Sequence, residues 1–577
     1  MYLGISAYNH QSAAALINEE GELINYYREE QLSRIKGDNS FPKNSIKKLF
    51  ETNSLKIDDI KNVIFYEKPL SAYLNPLKVA AKNLPESLNL ISHQLKNFKK
   101  TSLFCFVDLA KAYPGLEQKL LYIDHHLSHT LSALAYAESF KNICSVVADG
   151  FGDRSTTSIS FVNNPNEIKE LWSCDYPFSL GLFYSAITDF LGFAINEGEY
   201  KVMGLAAFGI KDSSFYNKMN KLIFWDKNEQ TIKMDLSYFE YHKNIYNSFS
   251  IKLEELFGSS RNPLENLDVN NNDFQRYANI AFAAQEVLTN ILKELFRHAH
   301  HLTGCSKFLF SGGVALNSAS LRSIASLSFV ERIYIPPSPG DSGAAIGAAY
   351  FGFIKNNKNN SFKRITNLYP TIFNSNSQYK KTIKIVSEKF EYLSKNMEES
   401  FLLASELIKE GATIGTLISN AETGPRALGN RSLICNGQNL EAVSYLNTVI
   451  KDRSPFRPTA PAMQERTAKK YFILDEALNQ SYLSMTSTVV LKENSPIKNY
   501  PIIHIDGTAR LQIVEPNSTL DKLLLKLRKY DIEILANSSL NISGDPTCYD
   551  LIDGLMVCEL SPLKYLLTDY GLLKKLN

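Results

Sequence analysis

Two stretches of this chain, residues 2–27 and 143–174, follow one plan: strand, polar or glycine turn, strand, hairpin, strand. In the first, Tyr2–Ala7 and Ala13–Ile17 flank Asn9-His10-Gln11-Ser12, and a turn at Glu19–Gly21 leads to Leu23–Tyr27. In the second, Ile143–Ala148 runs into Asp149-Gly150-Phe151-Gly152-Asp153. Ser155–Val162, a turn at Asn163–Asn166 and Leu171–Cys174 follow. An acid or a histidine stands at each first turn. Such a repeat predicts two similar α/β lobes whose first turns face each other across a ligand.

The stretch Leu121–Arg154 holds His125, His126 and His129. His125 and His129 lie four apart, where the apolar run Leu120–Ile123 gives way to a helical pattern. They therefore share a helix face, and two imidazoles so placed can grip one metal ion. Asp149 offers a third ligand. By itself the spacing also describes a polar helix face; its position between a strand end and a helix start is where α/β sheets build sites. Further on, Val330–Ile335 runs into a Pro-, Ser- and Gly-rich turn ending at Asp341, then a small-residue helix at Ala344–Tyr350. Asp341 completes a four-ligand set. His10 taken singly reads as a hydrogen-bonded turn histidine. His298, His300 and His301 close the amphipathic helix Arg276–Leu302, which Gly304 stops, and read as helix C-terminal polarity.

Glycine turns mark places where backbone can approach a nucleotide: Gly150 and Gly152, and Ser311-Gly312-Gly313 through Asn317 after the strand Phe308–Phe310. Glu199 and Lys201 precede a small-residue helix start and form either a surface ion pair or, through Lys201, a phosphate contact. Residues 210–275 read as an irregular insertion. The stretch Lys355–Lys363, or the polar segment on to about Ser387, reads as a linker between domains at 1–365 and 385–577. Beyond it, Arg426, Arg431, Lys451, Arg453 and Arg457 lie among glycines and prolines, where arginine forks suit phosphate oxygens better than a solvated face. Asp506, Arg510, Asn537 and Ser539 complete this polar set, Asp506 as a partner for an arginine.

The length of 577 residues suits two to four domains. With 62 Lys plus Arg against 60 Asp plus Glu, the net charge of +2 gives no argument for nucleic acid or membrane partners. The seven cysteines (Cys105, Cys144, Cys174, Cys305, Cys435, Cys548, Cys558) are odd in number and scattered, as buried thiols of a reducing compartment are. The first residues lack a signal peptide's basic region, and no run reaches the roughly 18 apolar residues of a membrane span. A cytoplasmic protein is expected.

Read in order, GISAYNHQSAAAL, DHHLSH, ADGFGD, SLGLFY, EYKVMGLAAFG, SGGVALN, PPSPGDSGAAIGAA, GPRALGNRS, FRPTAP, DGTAR and NSSLN resemble the NodU/CmcH-type O-carbamoyltransferases over almost the whole chain. The resemblance implies an α/β protein: an N-terminal two-lobed ASKHA (actin-like) domain and a C-terminal YrdC-like domain. It implies that carbamoyladenylate is made from ATP, with Mg2+, and carbamoyl phosphate in the second domain. The carbamoyl group then passes to a hydroxyl in the first. The acceptor stays open among sugars, antibiotics and glycans. It places an iron ion on His125, His129, Asp149 and Asp341, although two His and two Asp would also hold Mn or Zn. It makes His10 catalytic and puts the adenylation cations on Arg426, Arg431, Lys451 and Arg457. The alternative expectation is an ASKHA-fold small-molecule kinase with an accessory domain. Oligomeric state is not readable.

Overall fold

β1 (Tyr2–Ser6), β2 (Ala13–Ile17) and β3 (Leu23–Arg28) form an antiparallel meander. β4 (Asn62–Phe65) and β5 (Leu120–Tyr122) extend it parallel to β1, giving the order β3-β2-β1-β4-β5. β1 and β2 are buried at every residue, which is why they read as unbroken apolar runs. β6 (Ile143–Ala148), β7 (Ser155–Asn164) and β8 (Glu167–Asp175) repeat the meander. A separate hairpin, β9 (Ile223–Asp226) and β10 (Thr231–Met234), interrupts the sequence. β11 (Lys307–Ser311) and β12 (Arg332–Tyr334) then extend the second sheet in parallel, in the order β12-β11-β6-β7-β8. One strand order thus occurs twice, which is the two-lobed, actin-like arrangement expected from the repeat. β8 starts at Glu167 rather than Leu171. Its outer residues are polar and exposed, so an edge strand forms there without an apolar pattern. The insertion is more regular than its composition suggests, with helices Ser213–Leu222 and Ile251–Phe257 beside the hairpin.

The structure, a computed structural model, describes residues 1–211, 213–270, 272–357, 362–372, 382, 388–454, 456–457 and 459–576. Much of the linker expected at Lys355–Lys363 and on to Ser387 lies outside them. Two compact units result: Met1–Glu29 with Asp38–Thr366, and Glu30–Gly37 with Asn367–Asn577.

In the first unit, the helix Asp341–Asn356 packs on β1 and on the helix His125–Leu134. Small residues make this approach close. A Cβ on Gly347 would stand 1.8 Å from the Ser128 carbonyl oxygen, and one on Gly4 would stand 2.0 Å from that of Ala345. Gly347→Ala is therefore expected to destabilise by about 1–3 kcal/mol, the usual penalty for overpacking. Chemical denaturation followed by circular dichroism measures it. An unchanged transition would show that the two helices can part without loss.

The second unit is built on one mixed sheet. Its strands are β13 (Phe390–Ser394), β14 (Ile414–Leu417), β15 (Arg431–Asn436), β16 (Ala460–Met463), β17 (Phe472–Ile473), β18 (Ser487–Leu491), β19 (Thr508–Ile513), β20 (Leu535–Ser539), β21 (Tyr565–Thr568) and β22 (Gly571–Lys575). Their order is β13-β22-β21-β14-β15-β20-β16-β19-β18-β17. Helices Met397–Lys409 and Thr519–Leu527 bury Phe401, Ala404, Ile408, Leu520, Leu523 and Leu527 against Ile414, Ile434 and Leu535.

Candidate active site

The helix His125–Leu134 starts where β5 ends. Asp124 caps it, accepting from the backbone N–H of His126 at 3.1 Å and of Leu127 at 3.3 Å. Asp153 accepts from the His125 N–H at 2.9 Å and from the Lys68 N–H at 2.8 Å, tying the helix start to the end of β4. Asp149 follows β6 and Asp341 opens the helix Asp341–Asn356. His125 Nε2 and His129 Nε2 are 3.2 Å apart. They stand 3.5 and 3.0 Å from Asp149 Oδ2, and 3.7 and 3.4 Å from Asp341 Oδ1. One donor atom from each of the four residues lies within 4.8 Å of every other.

Burial works against charge at His125, yet the Asp149 and Asp341 carboxylates outweigh it and hold the imidazole pKa up at about 10. Asp149 is held well below the carboxylate range: burial raises it, and the two imidazoles overcome that. His126 differs. Burial first, then the charges of His125 and His129, push it down to about 3, and its Nδ1 is 2.7 Å from Ser158 Oγ. It is a neutral structural residue beside the cluster.

Asp149 Oδ2 is buried without a well-formed hydrogen bond, although two imidazole nitrogens surround it. Donors that converge on a common centre, rather than on each other, leave that signature. Two carboxylates and two imidazoles also match the charge and donor preferences of a divalent transition metal. The residues fit the ion that the motifs imply.

The neighbouring turns are shaped for close approach. Gly312 has φ +91°, and a Cβ there would lie 2.2 Å from the Ala148 oxygen. Ser311 Oγ is 3.4 Å from His129 Nδ1 and donates to the Pro339 oxygen at 3.1 Å. A Cβ on Gly152 would meet the His125 ring at 2.9 Å, and one on Gly313 would meet Asp149 Oδ1 at 3.0 Å. The Gly150 N–H donates to Asp149 Oδ1 at 2.7 Å. His10 is half-buried in a turn whose neighbours are pinned. Asn9 donates to Glu67 Oε2 at 2.7 Å, and Gln11 Oε1 accepts from Ser342, the residue after Asp341, at 3.4 Å.

Other expected site residues are occupied elsewhere. Asn317 caps the helix Ser318–Ala325 through Ser320, and its side chain exchanges hydrogen bonds with Gln285. Its amide is spent on the fold, a use that the glycine-turn pattern could not distinguish from nucleotide binding. Lys201 lies within the first turn of the helix Glu199–Ala206, not ahead of it. Its ammonium is 5.4 Å from the Phe193 ring centroid.

In the second unit, Arg431 is fully buried. Its guanidinium donates to the carbonyls of Ile418, Ser419, Asn430 and Tyr549 at 3.0–3.2 Å. A fork so engaged holds the chain together rather than facing phosphate. Arg426 lies half-buried in the loop between β14 and β15. Glu422 ties that loop by accepting from the N–H groups of Leu428, Asn430 and Arg431. Lys451 is 3% exposed and donates to the Ser539 carbonyl at 3.0 Å, the Asn541 carbonyl at 2.6 Å and Asn541 Oδ1 at 2.7 Å. Burial, then Arg453, Arg457 and Lys36, push its pKa well below that of an ordinary lysine. Asn537 donates to the Ala427 carbonyl and to Gln512, so it supports the Arg426 loop. Ser539 donates to Asn541 Oδ1 at 2.6 Å. Asp506 does not take the arginine expected for it: it accepts from the Thr508 N–H and hydroxyl, closing an exposed turn. Arg510 sits on β19 opposite Thr488.

Sequence reasoning passed over Tyr66, Glu67 and Asn541. Tyr66 donates to Asp341 Oδ2 at 3.4 Å. Glu67 is fully buried, and burial first lifts its pKa to about 7. An acid at the end of an apolar strand run was the available signal for Glu67.

An actin-like lobe pair with a buried four-donor centre is followed in the same chain by an α/β unit with the buried Lys451. The chain belongs to the carbamoyltransferase family: the family model for the carbamoyltransferase N-terminus matches residues 1–350, and that for the C-terminus matches 405–575. This agrees with the NodU/CmcH-type resemblance read from the motifs, and the second unit carries the family's YrdC-like α/β fold. An uncharacterized protein of Synechocystis sp. is 29% identical over 99% of this chain and 96% of its own length. The nodulation protein NolNO of Sinorhizobium fredii is 27% identical over 99% of this chain and 80% of its own. Among solved structures, HypF of T. kodakarensis aligns with TM-score 0.34 and 15% identity, covering 62% of this chain and 48% of its own. Among the described residues, no helix is long and apolar enough to cross a membrane.

Proposed function

We propose that the protein is an ATP-dependent O-carbamoyltransferase working in two half-reactions. In the second unit water cleaves carbamoyl phosphate to carbamate and phosphate, and a carbamate oxygen then bonds to the α-phosphate of ATP, with Mg2+, as the bond to pyrophosphate breaks. The first unit moves that carbamoyl group to a hydroxyl of a sugar, an antibiotic or a glycan. The observation that carries this reading is the pairing, in one carbamoyltransferase chain, of a buried His/His/Asp/Asp centre with a separate buried lysine among arginines.

In the second unit, Lys451 sits where its charge is opposed by burial and by its cationic neighbours, and a polyphosphate restores the balance. Arg426 and Arg457 supply further positive charge, while Arg431 and Glu422 hold their loops. In the first unit, His125, His129, Asp149 and Asp341 would hold a divalent ion (Fe, with Mn and Zn compatible), which when bound supplies positive charge against a nucleotide phosphate. His10, held between the Asn9 and Gln11 contacts, takes the proton as the acceptor oxygen bonds to the carbamoyl carbon and the bond to the AMP phosphate oxygen breaks. Gly152, Gly312 and Gly313 let these turns close directly on His125, Ala148 and Asp149, and with Gly150 their backbone N–H groups would offer donors to a nucleotide beside the centre.

Purified protein supplied with ATP, Mg2+ and carbamoyl phosphate is expected to yield pyrophosphate and carbamoyladenylate by mass spectrometry. Formation of ADP that ignores carbamoyl phosphate would instead identify a kinase.

A further inference from the structure

The crossover from β4 to β5 in the first unit carries two helices, Pro69–Ala81 and Leu88–Lys96, that pack on each other. Each holds to the protein by one side and turns apolar residues outward on the other. In the first helix Ala72 and Ala80 are buried, while Leu70 and Leu74 are exposed and their stripe continues at the same spacing to Lys78 and Lys82. In the second Leu90 is buried, while Leu88 and Leu95, two turns apart, are exposed. Phe98 follows and meets the Tyr73 ring edge-on at 5.4 Å, which brings the chain back to the first helix. The four outward leucines and Phe98 are 37–62% exposed, far more than a packed face requires.

Residues 68–111 hold seven lysines, two acids and no arginine, a net +5 where the whole chain has +2. The rest of the chain therefore sums to −3, and the near-neutral total conceals a local basic face. Both acids are engaged: Glu86 pairs with Lys243 at 2.8 Å, and Asp108 accepts from the Tyr8 hydroxyl at 2.8 Å. Lys78, Lys82, Lys96, Lys99 and Lys100 are exposed and lie next in the chain to the outward apolar residues. Protein partners favour aromatic and arginine side chains at an interface and little lysine. A second copy meeting this face with its own would bring two +5 surfaces together. A nucleic acid would leave the leucines without a use. Leucine and phenylalanine bordered by lysine suit the boundary between lipid headgroups and acyl chains. There a lysine stem lies along apolar surface while its ammonium reaches a phosphate.

We propose that these two helices dock on an anionic lipid bilayer, the outward leucines and Phe98 entering the headgroup region and the lysines pairing with lipid phosphates. Such docking is independent of the transfer chemistry. It is nonetheless fastened to the first unit's centre. Asn75, on the first helix, donates to the Asp153 carbonyl at 2.6 Å, and the Lys68 N–H just ahead of that helix donates to Asp153 Oδ1. The other oxygen of the same carboxylate holds the start of the His125 helix.

The test is flotation of the full chain with vesicles of equal parts phosphatidylglycerol and phosphatidylcholine, and with vesicles of phosphatidylcholine alone. Binding is expected to the first and not the second, and it should weaken as salt is raised. Leu88→Ser combined with Leu95→Ser is expected to weaken it about tenfold to a hundredfold. Lys99→Gln combined with Lys100→Gln is expected to weaken it roughly thirtyfold, the worth of two lysines at an anionic surface. Both double variants should melt with the parent, because all four side chains are exposed. A parent that floats with neither vesicle, or equally with both, overturns the proposal, as do double variants that float as the parent does. A parent that ignores vesicles but is dimeric by light scattering, and that Leu88→Ser with Leu95→Ser makes monomeric, also overturns it and gives the face to a second copy of the chain.

Discussion

Replacing Lys451 with methionine is expected to lower the rate of carbamoyladenylate formation roughly 10²–10³-fold, the usual cost of removing one positioned charge donor from a developing anion. Lys451 is 3% exposed, and the three hydrogen bonds of its ammonium run to Ser539 and Asn541. Methionine is nearly as long, so the site does not collapse. It leaves two carbonyls and an amide oxygen without their donor, and a modest fall in melting temperature is expected too. Lys451→Arg separates the two effects. It keeps the charge but cannot place a compact ammonium among three acceptors, so it should recover part of the stability and little of the rate. The measurement is release of pyrophosphate from ATP in the presence of carbamoyl phosphate, with the melting temperature of each variant alongside. A Lys451→Met protein as fast as the parent would remove Lys451 from the chemistry and leave it a packing residue.

How much of this was legible in the sequence depended on whether the signal was local. The duplicated meander could be read because β1, β2 and β6 are buried on both faces and write unbroken apolar runs bounded by polar turns. The four-donor centre could be read because His125, Asp149 and Asp341 stand at strand or helix ends beside turns of recognisable composition, and His129 follows His125 by one helical turn. Asn317 and Arg431 were misplaced for the opposite reason. A buried amide that caps a helix and a buried guanidinium bonded to carbonyls have the same letters as ligand contacts, and only the three-dimensional partners tell them apart. The Arg34 anchor on the Pro546 and Thr547 carbonyls was invisible because nothing local ties residues near the start to a loop near residue 546; its contacts span more than five hundred positions. Asp506 lost its expected arginine to a nearer partner, the Thr508 turn, as Asp residues in tight turns commonly do.

His125→Ala is expected to abolish stoichiometric metal binding and, with it, carbamoyl transfer. His125 contributes one of two nitrogen donors to a cluster whose remaining members are His129 and two carboxylates. Losing one of four ligands also leaves Asp149 with less to offset the burial of its charge. The readout independent of activity is metal content by elemental analysis. The parent should hold about one ion per chain after metal loading, and the variant close to none. Chelation gives a second readout. An ion at a hundred times its dissociation constant adds about 2.7 kcal/mol to the folded state, so a chelator should lower the melting temperature of the parent and leave that of His125→Ala unmoved. The acid-base chemistry of the cluster adds a sign. Without metal, the carboxylates keep His125 protonated up to about pH 10, so the ion must displace a proton to reach that nitrogen. Metal affinity should therefore fall as the pH is lowered through the neutral range. His126→Ala is the matching control: one position away, neutral and bonded to Ser158, it should cost stability while the metal content stays at the parent level. If His126→Ala lost the ion and His125→Ala kept it, the ligand assignment would be wrong, and the helix would present a different face to the centre.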